Sequence, residues 1–308
     1  MFDRRALVRN YRYSVDLLSA HSVQAGEIGM LLLNNWRSRA GFTAMLCAIG
    51  AFLFLPIIWM VLTSIKPEGE VFVRIPSIFP HAPTLENYRA LLGNSETLAQ
   101  LRNSLITAGG GALLTVMLST YAAYSFAKFR YFGRKPLMFM MLSAQMFPFA
   151  MLLISVYPML QWANLLNTRV GLIIAYIILA LPSGTYMLYS YFISIPSEII
   201  EAARVDGASE IYILHRIVTP LAIPAMVTVG LYSFMWAWND LLFSLTLITS
   251  PELRTVGPGL LLSYLGEGRA NWGGAMAESI VISLPVVLGF AFLQRYFIKG
   301  LTAGAVKS

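Results

Sequence analysis

Cysteine is almost absent from the 308 residues: Cys47 alone lies inside an apolar run, which excludes an intrachain disulfide and any thiolate metal cluster. As a small, buried, apolar residue it needs no further role. Histidine is scarce too, and His21, His81 and His215 sit far apart in polar segments without the spacing that ligates a metal, so they read as solvated surface groups and no metal site is assigned. Charged residues make up only 12% of the chain, about half the share in soluble domains. No G-x-x-x-x-G-K-[ST] phosphate loop occurs; Gly133-Arg134-Lys135 is too short and runs into Pro136, so any nucleotide hydrolysis belongs to another chain. Paired carboxylates and serine–histidine arrangements are missing as well, and no catalytic residue is assigned.

What the chain has in quantity is apolar surface: 57% hydrophobic residues and a mean hydropathy of +0.66 place most of it in lipid. A bilayer core about 30 Å thick needs roughly 20 apolar residues per helix. Six stretches meet this: Phe42–Ser64, Asn103–Phe126, Pro136–Leu160, Val170–Ile193, Leu221–Ile248 and Ala275–Ile298. The net charge of +7 does not point to nucleic acid, because the basic residues cluster at the ends of apolar runs, as topology signals do. With both termini in the cytoplasm, most lysines and arginines fall inside, above all Lys128, Arg130, Arg134 and Lys135, a short loop without an acidic residue. The first forty residues hold no signal-peptide core, so the tail is expected to stay on the protein. Within it 29–33 reads either as an interfacial helix or as part of a disordered basic tail. Outside, 66–101 and 250–274 are the sizeable loops. The organisation expected is a cytoplasmic tail over 1–41, one transmembrane domain over 42–298 and a second tail over 299–308.

Between the fourth and fifth stretches lies a charged island, 195–220, which the charge pattern places in the cytoplasm. Pro196-Ser197-Glu198 reads as a helix start, with Ser197 able to cap free amides and Glu198 favouring the positive helix end. The helix runs through Glu201, Ala202, Ala203 and Val205 to Gly207, whose tolerance of positive φ permits a sharp turn. A second helix starts at Ser209, carries Ile213, Leu214, Ile217 and Val218 along one side, and re-enters the membrane at Pro220. Ala202 and Ala203 let another backbone approach, while Glu201, Arg204 and Asp206 supply charge, a design suited to a short helix lying in a groove. An ordinary loop packed on its own protein fits the same residues.

Glu201-Ala202-Ala203, Gly207 four residues later, then Ile217 and Pro220, resemble the EAA loop of the membrane-spanning subunits of bacterial ABC importers. Ser64-Ile65-Lys66-Pro67, Thr84-Leu85-Glu86-Asn87-Tyr88, Asn103-Ser104, Trp238-Asn239-Asp240 and the run from Gln294 to Lys307 extend the likeness to the sugar-permease branch, over nearly all the chain from about Leu53. The resemblance implies an all-α membrane protein, the six-helix type I ABC importer transmembrane domain with a cytoplasmic coupling helix. It further implies a bacterial cytoplasmic (inner) membrane location and import of a disaccharide or oligosaccharide delivered by an extracytoplasmic binding protein. The partners implied are a second permease subunit, a paralogue as is usual in this branch, and two cytoplasmic ATPase subunits that bind the ATP and Mg, this chain holding no cofactor. Glu201, Ala202, Ala203, Arg204, Asp206 and Gly207 would form the coupling site.

Polar groups inside spans are functional candidates because they are expensive there. Trp236, Trp238, Asn239 and Asp240 combine aromatic faces with hydrogen-bonding groups, as a sugar path requires, though the same residues also suit helix bridging and interfacial anchoring. Glu278 is expected at the outer interface. Gly109-Gly110-Gly111, Pro148, Pro182 and Pro285 allow close packing or bending. An ion-coupled secondary transporter is the alternative, disfavoured because only Asp240 and Glu278 are acidic within the spans.

Overall fold

The computed structural model describes residues 36–71, 73, 77–264 and 271–305, with the side chains of 36–38 and 295–305 excepted. The N-terminal stretch 29–33 and residues 306–308 lie outside the described residues. The chain divides into two units, 1–60 and 61–308. The first consists, among the described residues, of the greater part of helix α1 (Trp36–Ser64), a uniformly apolar helix whose lateral surface is exposed, Cys47 included. The expectation of a buried Cys47 is thus corrected: it lies on the surface of a lipid-length helix, where an apolar side chain needs no protein cover.

Among the described residues of the second unit every regular element is a helix. After single turns at Glu68–Val71 come α2 (Glu86–Gly93), α3 (Ser95–Lys128), α4 (Arg134–Ser143), α5 (Phe149–Trp162), α6 (Arg169–Phe192), α7 (Ser197–Val205), α8 (Glu210–Trp238), α9 (Leu242–Leu247), α10 (Val256–Tyr264) and α11 (Trp272–Ala305). Among the described residues five helices, α1 included, are long and apolar enough to cross a membrane, and α4 with α5 would make a sixth.

Two expected spans are not continuous. The stretch Pro136–Leu160 folds as α4, a 3₁₀ turn Ala144–Met146, and α5, bent by 108° at the Phe147-Pro148 junction. Pro148 has no N–H to continue the first helix and holds the residue before it extended, with Phe147 at ψ 140°. Gln145 closes this break onto α6 by donating from Nε2 to the Leu179 carbonyl at 3.0 Å, in the turn that Pro182 disturbs. Likewise, the stretch Leu221–Ile248 stops at Trp238, and α9 restarts at Leu242. At the other end Pro220 marks no boundary: Glu210–Tyr212, a π-helical turn Ile213–Val218 and Thr219–Trp238 follow without interruption, so α8 begins in the island itself.

The core is the α3–α6 pair with α8 laid over both. Their closest approach is made by Gly184 of α6, where an added Cβ would lie 2.8 Å from Ser119 Oγ on α3 and 2.9 Å from Val229 Cγ1 on α8. Thr115, Ser119, Thr185 and Ser233 are buried, so small hydroxyl side chains permit the close packing that drives helix association in lipid. Two apolar clusters flank the junction. One gathers Tyr124, Leu188, Phe192, Ile200, Ile213 and Val218 at the end carrying Lys128, and the other gathers Leu172, Tyr176, Trp238, Phe243 and Val256 at the opposite end.

At that opposite end α3 organises the connection after α9. Asn103 lies two turns inside α3, rather than opening it, and donates from Nδ2 to the carbonyls of Glu252 at 2.9 Å and Arg254 at 3.0 Å, while its Oδ1 accepts from Arg169 Nε at 3.0 Å. Ser104 Oγ accepts from the Val256 amide at 2.9 Å. Asn167, at φ +56°, accepts from the amides of Thr249 and Ser250.

The Gly184 junction yields a test. Gly184→Ala should destabilise the protein by about 1–3 kcal/mol through overpacking, whereas Gly109→Ala, whose Cβ would meet nothing within 4 Å, should leave it unchanged. Thermal unfolding of the detergent-solubilised variants measures both.

Candidate functional site

Two places carry the residues that sequence reasoning singled out. The first is α7 and its turn. Ser197 occupies the first helical position instead of capping, and Pro196 precedes it without a side-chain cap. Ile200 and Ala203 are buried against the apolar cluster of α8, whereas Glu201, Ala202, Val205, Asp206 and Gly207 are exposed, Val205 to 88%. The helix thus presents a free face with an uncovered valine at its tip. Its C-terminus is closed by paired bonds, Gly207 N–H to the Arg204 carbonyl and Ala208 N–H to the Ala203 carbonyl, both 3.0 Å, around Gly207 at φ +81°. That left-handed turn satisfies carbonyls that the helix end would otherwise expose. Ser209 then caps the next helix, its Oγ accepting from the Tyr212 amide.

Arg204, expected to reach across an interface, is engaged within the chain. Its Nε lies 2.6 Å from Glu210 Oε1, and Tyr124 of α3 donates from its hydroxyl to Glu210 Oε2 at 2.8 Å. The hydrogen bond to Glu210 holds the guanidinium above its ordinary range. Glu210 therefore ties α7 to the first turn of α8 and to the end of α3. Glu210 and Tyr124 were missed from sequence; an opposite charge six residues from Arg204 across a glycine turn was the available signal, and the tyrosine 80 positions upstream had none. Nearby, His215 on the π-helical turn shares a 2.9 Å hydrogen bond with Tyr121 of α3, a second tie between the same helices. Glu201 is exposed and makes no hydrogen bond among the described residues.

The second place is the break after α8. Asp240 is buried and accepts from the amides of Phe243 at 3.1 Å and Ser244 at 2.8 Å, and from the Tyr176 hydroxyl at 3.1 Å. Its carboxylate caps α9. Of the four residues expected to share a path, Trp236, Asn239 and Asp240 border one cavity and Trp238 borders another. Trp236 and Asn239 line a cavity of 510 Å³ with Phe149, Tyr232, Met235 and the rim of Asp240. Trp238 is buried, stacked on Phe234 at 5.3 Å, and borders a second cavity of 400 Å³ with Val256, Leu260 and Ser283. Asn239, exposed, borders both, with Nδ2 held by the Met235 carbonyl at 2.7 Å. Trp236 meets Phe149 edge-to-face at 4.6 Å, which brings the bend between α4 and α5 to this cavity. Both volumes lie in the range of small-molecule sites. Phe149 and Tyr232 were not singled out, since aromatics are common in spans and only the bend places Phe149 here.

Glu278, expected near the outer interface, is buried on α11, facing Tyr264 of α10. Close backbone approach explains part of this: a Cβ on Gly257 would sit 2.9 Å from the Asp240 carbonyl oxygen, drawing α10 inward. Among the described residues no group of acidic, histidine or cysteine side chains has the arrangement of a metal site.

With this geometry established, known proteins supply the comparison. Residues 115–303 match the family described as binding-protein-dependent transport system inner membrane component. The sulfoquinovosyl glycerol transport system permease protein SmoH of Agrobacterium fabrum is 36% identical over 252 residues, 82% of this chain and 88% of that protein. The trehalose/maltose transport system permease protein MalG of Thermococcus litoralis is 35% identical over 270 residues, 85% and 96% of the two chains. Among solved structures, a chain of a bacterial ABC transporter that imports the acidic polysaccharide alginate superposes with a TM-score of 0.74, covering 85% of this chain and 98% of that one, at 22% identity.

Stability separates the two neighbouring polar residues. Asp240→Ala should destabilise the protein by about 1–3 kcal/mol, since it uncaps α9 and strands buried amides, and Asn239→Ala should leave the midpoint of thermal unfolding within a degree or two of the native value.

Proposed function

Because the chain belongs to the family of binding-protein-dependent transport system inner membrane components, we propose that it is one permease half of an ATP-driven importer of a disaccharide or oligosaccharide. The trehalose and maltose named for MalG support the disaccharide, the sulfoquinovosyl glycerol named for SmoH supports sugar import more broadly, and coverage of most of the length of both supports the same architecture. The other permease half is a paralogous chain, two cytoplasmic subunits hydrolyse ATP with Mg, and an extracytoplasmic protein delivers the sugar. Both termini and α7 lie in the cytoplasm, a topology supported by the basic loop between α3 and α4.

The observation that carries this reading is the construction of α7. A nine-residue helix with an exposed Glu201 and Val205 on one side is locked on the other to α8 by packing and by the Arg204–Glu210 pair. Such a helix receives force from a groove in another protein and passes it to the spans. Glu201, Ala202, Val205, Asp206 and Gly207 face the ATPase, and Arg204 holds the helix rigid for it. ATP-driven closure of the two ATPases displaces the coupling helices, α8 moves with α7, and the cavity beside Asn239 changes its access. Trp236 offers an aromatic edge and Asn239 an amide to a sugar passing the 510 Å³ cavity. Nothing in the relatives or the geometry favours the ion-coupled alternative.

Binding-protein-stimulated ATP hydrolysis and sugar uptake, measured in liposomes with the partner subunits, test the coupling site. Glu201→Lys should reduce uptake on the order of tenfold or more by placing the wrong charge at the interface, with the chain still inserted; native uptake would remove α7 from the coupling role. In the same assay Asn239→Ala should raise the half-saturating sugar concentration several-fold, about one lost hydrogen bond. Unchanged kinetics would assign Asn239 to helix packing.

A further inference from the structure

A cavity of 750 Å³ opens between the α3–α4 loop and the start of α7, lined by Lys128, Arg130 and Arg134 on one side and by residues from Ile193 to Arg204 on the other. Its cations are not neutralised within the chain. Lys128 Nζ rests on the Ile195 carbonyl at 3.0 Å and Arg134 Nη1 on the Phe129 carbonyl at 3.0 Å, while Arg130 makes neither a hydrogen bond nor an ion pair among the described residues. Glu198 and Glu201 also border the cavity from α7, but neither pairs with these three groups, and Arg204 is committed to Glu210. Lys128 and Arg134 are half-buried, so their charges are held in place by the fold instead of trailing in solvent. The first turn of α7 borders the same space, and a helix N-terminus favours an anion.

Two cations held by the fold, Lys128 and Arg134, with the exposed and unpaired Arg130 beside them at a helix start, suit a phosphate group. Lys128 lies two residues beyond the apolar stretch Asn103–Phe126, which sets the cavity at the level of the headgroups. We propose that the cavity binds the phosphate of an anionic phospholipid of the inner leaflet, held by Lys128, Arg130 and Arg134, and that the lipid fills the space behind the coupling helix. The inference rests on the cytoplasmic placement of this loop. Topology alone would ask only for positive charge in the loop; it would not ask that three of its four basic residues line one cavity while Lys135 stays outside it.

The complete transporter, purified in detergent and titrated with phosphatidylglycerol or phosphatidylcholine under native mass spectrometry, tests this. The native protein should retain phosphatidylglycerol in preference, Arg130→Gln with Arg134→Gln should weaken retention about tenfold or more, and Lys135→Gln, which removes charge from the same loop, should stay within about twofold of native. Equal weakening by Lys135→Gln, or no preference for the anionic lipid, would overturn the proposal. Inorganic phosphate bound through Arg130 and Arg134 in nanodiscs of phosphatidylcholine, with no lipid retained, would reassign the site to a soluble anion and overturn the lipid source. Loss of the lipid whenever the ATPase subunits are present would give the cavity to an acidic segment of the ATPase instead. The topology is checked separately: Phe132→Cys, fully exposed in the loop, in a Cys47→Ser chain should react with a membrane-impermeant maleimide only from the cytoplasmic side.

Discussion

Inside a bilayer there is no water to accept a stray N–H or carbonyl, so every interruption of a helix must be closed by the protein itself. That constraint accounts for Asp240, Gln145, Asn103 and Asn167. Asp240 closes the break after α8 by accepting two amides of α9, and Gln145 closes the bend between α4 and α5 on the Leu179 carbonyl. Asn103 and Asn167 do the same for the connection after α9. The breaks are where a bundle of straight helices can change shape, and each is stapled to a neighbouring span. A local change at one break is therefore felt in the helix that holds its staple.

α8 joins the two functional regions. Its first turn holds Glu210, bonded to Arg204 of α7 and to Tyr124 of α3, and its last residue, Trp238, precedes the break at Asn239 and Asp240. At 1.5 Å per residue its 29 residues span about 43 Å, a membrane's depth. At Val229 it packs on Gly184, where α3, α6 and α8 approach too closely for even a methyl group without adjustment. Such packing favours movement of the three helices together over bending of one. Displacement of α7 thus reaches the cavity beside Asn239 through a continuous helix whose near end is anchored by an ion pair and a tyrosine.

Much of this was legible in the sequence because lipid imposes simple rules. Apolar length marked every span, and the island's alternation of alanine, charge and glycine marked α7 and its turn, with Gly207 in the left-handed conformation that the turn requires. What was not legible depended on tertiary contact. Hydropathy does not register a break when both sides are equally apolar, so the 108° bend at Pro148 and the stop after Trp238 passed as continuous spans. Asp240 was read either as lining a passage or as bridging helices, because a carboxylate in a span is conspicuous; its service as a cap needed the position of α9. Arg204 was assigned outward for the same reason, since its partner lies beyond a turn and the tyrosine that shares that partner is on another helix.

The central claim is that the Arg204–Glu210 pair makes α7 and α8 one mechanical unit. Its most direct test is the ratio of sugar imported to ATP hydrolysed in reconstituted complexes of Arg204→Glu, Glu210→Arg and the exchanged double variant. The account predicts that each single reversal lowers the ratio while the double variant restores most of it. Native ratios in both single variants would contradict it.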